Sequence, residues 1–351
     1  MKTEHLLIMR FSALGDVAML VPVVGSLARQ YPDLRITVLS RPFARPFFDD
    51  IAPNVGFMEA DLKGEYHGVK GLNALYRRLV AKNFTAIADM HNILRSSYLR
   101  MRFNLGRYRV EHIDKHRSDR RHLTAAGDNK VMKQLPSSFD NYADVLARLG
   151  YPVKLDFDSV FPPAGGNLRL LSEKIGDKKL FQQWIGIAPF AAHKGKIYPT
   201  EKMEEVVEEI TRRHPSCRIF LFGGGDDEHR VLNGWCARHK NCTNASALLA
   251  SLQQEMILMS HLDVMVSMDS ANMHLAAISG TRVVSVWGAT HPFAGFMGWH
   301  QSIDDAVQID LPCRPCSIYG NKQCQRGDYA CLGNITPQAI ADRVERVLSE
   351  K

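Results

Sequence analysis

His5-Leu6-Leu7-Ile8-Met9-Arg10-Phe11, followed by Ser12-Ala13-Leu14-Gly15-Asp16, sets an apolar run directly before a glycine-containing turn. A short apolar run bounded by a turn reads as a strand covered on both faces, the pattern of a parallel sheet. From about Val17 to Gln30 the apolar residues recur at helical spacing, and RITVLS (35–40) reads as the next strand. The sequence therefore opens on a βαβ unit.

The same alternation continues. GLNALYRRLVAKN (71–83) reads as a helix, TAIADM (85–90) as a buried strand, and SFDNYADVLARLG (138–150) as a helix stopped by Gly150. Residues 152–168 are rich in proline and glycine and lack sustained periodicity, so the domain boundary falls there. A second cycle begins at WIGIAPF (184–190) and runs through TEKMEEVVEEITRRHP, CRIFLFGGG, a helix from Asp226 to His239, SLQQEMILMSHL, VMVSM, NMHLAAISG and RVVSVWG. Thr336 and Pro337 start a final helix. The expected fold is α/β with two doubly wound Rossmann-like domains, 1–160 and 161–335, and a C-terminal helix at 336–351 packing back toward the first domain.

With 351 residues the chain exceeds a single core. A hydrophobic content of 45% with 23% charged residues is globular, and no stretch approaches the roughly 20 apolar residues of a membrane helix. The N-terminal run reads as a strand and not as a secretory signal, and seven cysteines fit a reducing compartment, so a cytoplasmic protein is expected. The net charge of +7 points to an anionic partner. Much of it lies in one segment, where Arg95, Arg100, Arg102, Arg107, Arg109, Lys115, Arg117, Arg120, Arg121, Lys130 and Lys133 face only Glu111, Asp114, Asp119 and Asp128. A solvated basic face is the plain alternative. Nucleic-acid binding would add interleaved exposed aromatics, and Tyr98, Phe103 and Tyr108 read equally well as core.

In open parallel sheets ligands bind at the carboxyl ends of the strands. Asp16 stands on the turn at that end, where a rigid carboxylate can serve as general base to an attacking hydroxyl, or simply cap the following helix. Lys194 and Lys196, in the loop after the first strand of the second half, can meet phosphate, and a fixed ammonium there would stabilise a departing diphosphate without a metal. Gly223 and Gly224 let backbone approach a ligand closely, and Asp227 beside them can accept from ribose hydroxyls; a plain tight turn is the other reading. The turn lacks GxGxxG spacing, which disfavours a redox dinucleotide. Asp269, Ser270, Ala271, Asn272 and His274 join a strand to a helix whose first amides suit phosphate oxygens, or form an ordinary cap with His274 packed inside. Asp156 and Asp158 make a DxD, the metal-binding pattern of another transferase class, but they fall in the interdomain stretch.

Cys313, Cys316, Cys324 and Cys331 lie in an excursion before the last helix. Four thiolates can hold a structural zinc; an iron–sulfur cluster, disulfides or idle thiols are the alternatives.

Taken together, SALGDV, KIYP, the glycine turn before DDE, and DSANMHLAA resemble the bacterial heptosyltransferase family in order and approximate spacing, across nearly the whole chain. The resemblance implies a GT-B architecture with domains facing across a cleft, and an inverting, metal-independent transfer needing no catalytic cofactor. It implies an ADP-heptose donor, a lipid A/inner-core lipopolysaccharide acceptor, and work at the cytoplasmic face of the inner membrane. Asp16 then corresponds to the base, Lys196 to the diphosphate contact, Asp227 to a ribose contact and Asp269–His274 to the donor loop. The basic segment, represented by Arg95, Arg120 and Arg121, would meet acceptor phosphates, and no nucleic acid is expected. Ala271 departs from the family's usual glycine, leaving the donor open. Other nucleotide-sugar transferases, a UDP-sugar 2-epimerase, or a module binding anionic lipid or nucleic acid are the competing functions.

Overall fold

The computed structural model describes residues 4–350. It divides into two units: residues 1–115 with 136–160, and 116–135 with 161–351.

The first unit carries a five-stranded parallel sheet of order β3-β2-β1-β4-β5, built from β1 (His5–Met9), β2 (Arg35–Ser40), β3 (Val55–Glu59), β4 (Ala86–Asp89) and β5 (Arg109–His112). All of β1 is buried, as its apolar run requires. The helix expected from Val17 to Gln30 is two pieces, α1 (Leu14–Ala18) and α2 (Val21–Gln30), with Pro22 in the first turn of the second, where proline is tolerated. Helices α3 (Gly68–Val80), α4 (Leu94–Leu105) and α5 (Ser138–Arg148) complete the layers. Ser137 caps α5 by accepting from the Asp140 amide, and Gly150 follows it at φ +90°, the left-handed conformation a glycine stop provides.

The second unit holds a six-stranded parallel sheet of order β11-β10-β9-β6-β7-β8, with β6 (Trp184–Ala188), β7 (Arg218–Leu221), β8 (Cys242–Asn244), β9 (Val264–Met268), β10 (Val283–Val286) and β11 (Ala306–Val307). Its helices include α6 (Thr200–Arg213), α7 (Asp226–Arg238), α8 (Leu252–Met259), α9 (Ala271–Ile278) and α10 (Pro337–Ser349).

Two expectations about domains need correction. Residues 116–135 belong to the second unit: Leu123 and Leu135 are buried with Ala294, and the Leu135 amide donates to Phe293 O at 2.9 Å. Helix α10 packs on its own unit, against α6, β9 and β10. Ile340, Ala341, Val344 and Val347 enter the core there, each Ile or Val contributing about 1.5–3 kcal/mol by burial. Lys351, part of that expected segment, lies outside the described residues.

Candidate active site

In each sheet the strand order reverses at the first strand, between β1 and β4 in one and between β6 and β9 in the other. Crevices for ligands form beyond the carboxyl ends of strands at such switch points. Asp16 follows β1, Lys196 follows β6 and Asp269 follows β9, so the sequence-derived candidates sit where the topology requires.

Asp16 caps its helix and also pairs with a guanidinium. From the third position of α1 its Oδ2 accepts from the Ala13 amide at 3.0 Å, while Oδ1 lies 3.0 Å from the Arg10 guanidinium. The Asp16 side chain is 27% exposed, that of Arg10 only 8%. Arg10 is fixed from behind by donation to Met90 O and by the Tyr142 ring, 5.5 Å from its guanidinium; Tyr142 Oη in turn donates to Asp16 O at 3.2 Å. The carboxylate is thus held, oriented and still open to a reactant.

Sequence reasoning missed His91, which follows β4 across the same switch point. Its Nδ1 accepts from the Phe11 amide at 3.3 Å, which leaves the proton on Nε2, 3.3 Å from Ser12 Oγ. Burial, aided by the charges of Arg10 and Lys115, pushes its pKa down to about 3, so the ring is neutral. The neighbouring Asp89 is fully buried, accepts from the His91 and Asn92 amides, and pairs with Arg100 at 2.9 Å. The signal was available: TAIADM was read as a strand, and the residues just past its end belonged with SALGD.

In the second unit Lys196 Nζ lies 2.8 Å from Asp269 Oδ2, with side chains 16% and 4% exposed, and Thr290 Oγ1 donates to the same oxygen at 2.7 Å. Two glycines let the chain close around this lysine. A Cβ on Gly195 would stand 2.7 Å from Gly320 O, and one on Gly320, at φ +75°, would stand 2.6 Å from Lys196 Cγ. Lys194 is exposed and holds its ammonium 5.2 Å from the centre of the Tyr329 ring.

The segment Asp269–His274 joins β9 to α9. Ser270 is the N-cap residue of α9 but makes no side-chain cap bond; its hydroxyl meets Ser267 Oγ at 3.3 Å. The helix start, with Ala271 and Asn272 half-buried, keeps its N-terminal amides uncapped by Ser270, while His274 is buried. At the glycine turn, the Gly223 amide donates to Ser246 Oγ at 3.2 Å and the Gly224 amide to Glu228 Oε2 at 2.7 Å. Asp227 is 91% exposed and pairs with Arg230 one helical turn on, and the carboxylate that turns back to the glycines is Glu228.

The basic segment is divided between the two units. Arg95 is exposed at the start of α4 in the first unit, whereas Arg120 and Arg121 sit on the short helix Arg117–Leu123 of the second. Arg120 donates to Tyr319 Oη at 2.9 Å and stacks 5.0 Å over Phe296, a structural task, and Arg121 is exposed. The aromatics of the segment are mainly core, with Phe103 buried between Tyr76 and Tyr108. In the DxD, Asp156 is paired with Arg29 at 2.8 Å.

The four cysteines of the excursion do not fit a zinc. Among the described residues no group of three or more His, Cys, Asp or Glu side chains is placed to hold a metal ion. Cys331 packs into the hydrophobic core, and burial pushes its thiol up to about 11; burial also raises Cys316. The working residue of CRPC is Arg314, which is buried and donates to Gly288 O, Ile309 O and Thr290 O. Cys316 and Ser317 donate their amides to Ala289 O, whose own amide donates to Gly195 O at 2.8 Å. The excursion therefore braces the Lys196 loop and the Thr290 loop together.

Paired parallel-sheet units, each with a fixed charge at its switch point, define a GT-B protein of two Rossmann-like domains. Residues 72–326 match the model of glycosyltransferase family 9 (heptosyltransferase), and the chain belongs to that family. It is similar to lipopolysaccharide heptosyltransferase 1 of Pseudomonas aeruginosa, 23% identical over 98% of both chains. A family 9 glycosyltransferase of Veillonella parvula shares the fold at a TM-score of 0.74, with 18% identity over 100% of this chain and 99% of its own. The ADP-heptose lipopolysaccharide heptosyltransferase II of Escherichia coli does so at 0.67, with 18% identity over 99% of each. The chain spans about half the length, 50% and 51%, of two Campylobacter jejuni lipooligosaccharide heptosyltransferase 2 proteins that it matches at 24% and 21% identity.

Proposed function

We propose that this protein transfers a heptosyl group from ADP-heptose to a hydroxyl of the lipopolysaccharide inner core, at the cytoplasmic face of the inner membrane. The observation that carries the reading is the Lys196–Asp269 pair astride the β6/β9 switch point, a nearly buried ammonium beside a helix start.

The acceptor hydroxyl attacks the anomeric carbon as Asp16 takes its proton, and the bond from that carbon to the diphosphate oxygen breaks on the opposite face. Configuration inverts, and ADP departs with the electron pair. Lys196 and the first amides of α9 meet the charge that develops on the diphosphate, which is the task a divalent metal would otherwise perform. Asp269, with Thr290, holds Lys196 in place and is free to accept from sugar hydroxyls. Arg95 is assigned to an acceptor phosphate, and no catalytic cofactor is required. Among the described residues no helix is long and apolar enough to cross a membrane.

Calorimetry with ADP, UDP, GDP and NAD tests the donor. Selective ADP binding is expected; a preference for UDP would replace the reading with another transferase or an epimerase, which product analysis separates by whether sugar joins the acceptor.

A further inference from the structure

Helix α4 shows an apolar stripe to solvent. Leu94, Met101 and Leu105 recur at spacings of seven and four, which places them on one helical face, with Tyr98 between them half-buried against the core. Leu94 is 89% exposed, Leu105 76%, and Met101 is also exposed. Soluble helices turn such a stripe inward, and α4 does bury Leu99 and Phe103 on its other side.

Beside the stripe runs a groove of about 640 Å³ lined by Val69, Lys70, Asn73, Arg77 and Arg102. Helix α3 carries Lys70, Arg77 and Arg78, helix α4 carries Arg95 and Arg102 beside an Arg100 turned inward to the buried Asp89, and neither helix has an acidic residue. Arg102 is steadied by Asn73 and stacks 4.5 Å over Tyr76. The nearest preceding acids, Asp61 and Glu65, lie in the turn before α3.

We infer that the α3–α4 face of the first unit docks on an anionic lipid surface, the Leu94–Leu105 ridge entering the acyl boundary and the basic groove holding lipid phosphates. An apolar stripe flanked by uniformly basic groups is the pattern of interfacial binding, in which apolar burial and headgroup attraction add. Leu94 lies at the carboxyl edge of the sheet, the edge that carries Asp16, so a lipid-anchored acceptor would be met at that edge. This last step rests on the proposed function; the docking itself does not.

The test is flotation of the full chain with vesicles of phosphatidylethanolamine and phosphatidylglycerol, against phosphatidylcholine alone, read without turnover. The wild type binds the anionic vesicles, and salt weakens it. Met101→Glu/Leu105→Glu lowers partitioning about tenfold or more, with the uncharged Met101→Gln/Leu105→Gln lowering it less, while Phe181→Glu, on an exposed apolar site of the second unit, leaves it unchanged. Melting curves confirm that each variant is folded. Wild-type partitioning by both ridge variants overturns the inference, as does failure of the wild type to bind. A dimer broken by the ridge substitutions, without vesicle binding, would make the ridge a self-association face instead. In each case ADP binding, measured separately, decides the transferase reading independently.

Discussion

In the first unit a partly exposed carboxylate, Asp16, stands in front of a buried guanidinium, Arg10; in the second a partly exposed ammonium, Lys196, stands in front of a buried carboxylate, Asp269. Both pairs occupy the switch point of a parallel sheet, and both are steadied by a further donor, the Ala13 amide in one and Thr290 in the other. The construction is the same with the charges exchanged. In the proposed reaction the group offered to a reactant is a proton acceptor in the first unit and an anion partner in the second, while the buried countercharge fixes its position.

The largest effect expected is from Asp16→Asn. The amide oxygen can still accept from Ala13, so the turn survives, but the proton acceptor is gone. Turnover should fall by about a thousandfold, with ADP affinity kept, as read by kcat and calorimetry. A kcat within a few-fold of wild type would remove Asp16 as base and leave it a cap.

Lys196→Ala should lower kcat by about a hundredfold or more and weaken donor binding. It also strands Asp269, so stability should drop by about 3 kcal/mol. Adding Asp269→Asn removes the stranded charge. The double variant should regain much of the stability and none of the activity, separating the ammonium's catalytic role from its structural one; recovery of both would show that Lys196 serves only as a countercharge.

How much of this contrast was legible in the sequence depends on distance along the chain. Asp16 and Lys196 could be found because each follows its own strand within a few residues, where period and turn chemistry speak locally. Arg10 carries no local signal of its role, because its pairing with Asp16 needs the fold of α1 back onto β1. His91, Thr290 and Glu228 come to their sites through strand order and the pitch of α7, which no local pattern states. The cysteines drew attention by their spacing, and Arg314, inside the same motif, carries the bracing. The short strands β3, β5, β8 and β11 were also missed. They are the edge strands of the two sheets, with weak apolar signals in β5 and β8. The reassignment of residues 116–135 to the second unit rests on a few contacts with Phe293, Phe296 and Tyr319, far away in sequence.

The histidines sharpen the comparison through pH. His91 in the first unit and His291 in the second are held mainly by burial at pKa values of about 3 and about 4, below the usual 6.5. The native ring stays neutral where the unfolded ring gains a proton, so stability is present above pH 6.5 and declines as pH falls toward those values. Each should contribute a slope of up to about 1.4 kcal/mol per pH unit in that window. His91→Gln should flatten the decline by one proton's worth in denaturation series between pH 6.5 and 4; an unchanged slope would mean that His91 is protonated in the native protein.

The smallest effect separates two adjacent acids. Asp227 makes an exposed pair with Arg230 one turn away, worth a few tenths of a kcal/mol, so Asp227→Ala should leave ADP affinity and kcat within twofold of wild type. Glu228 instead receives the Gly224 amide at 2.7 Å and thereby shapes the glycine turn after β7. Its replacement by Gln keeps an acceptor but gives up a charge-assisted bond, about 1 kcal/mol, so ADP should bind roughly fivefold more weakly by calorimetry. The reverse ranking would mean that the turn rearranges on binding to bring Asp227 to the nucleotide, and the second unit's switch point would then be less fixed than the first's.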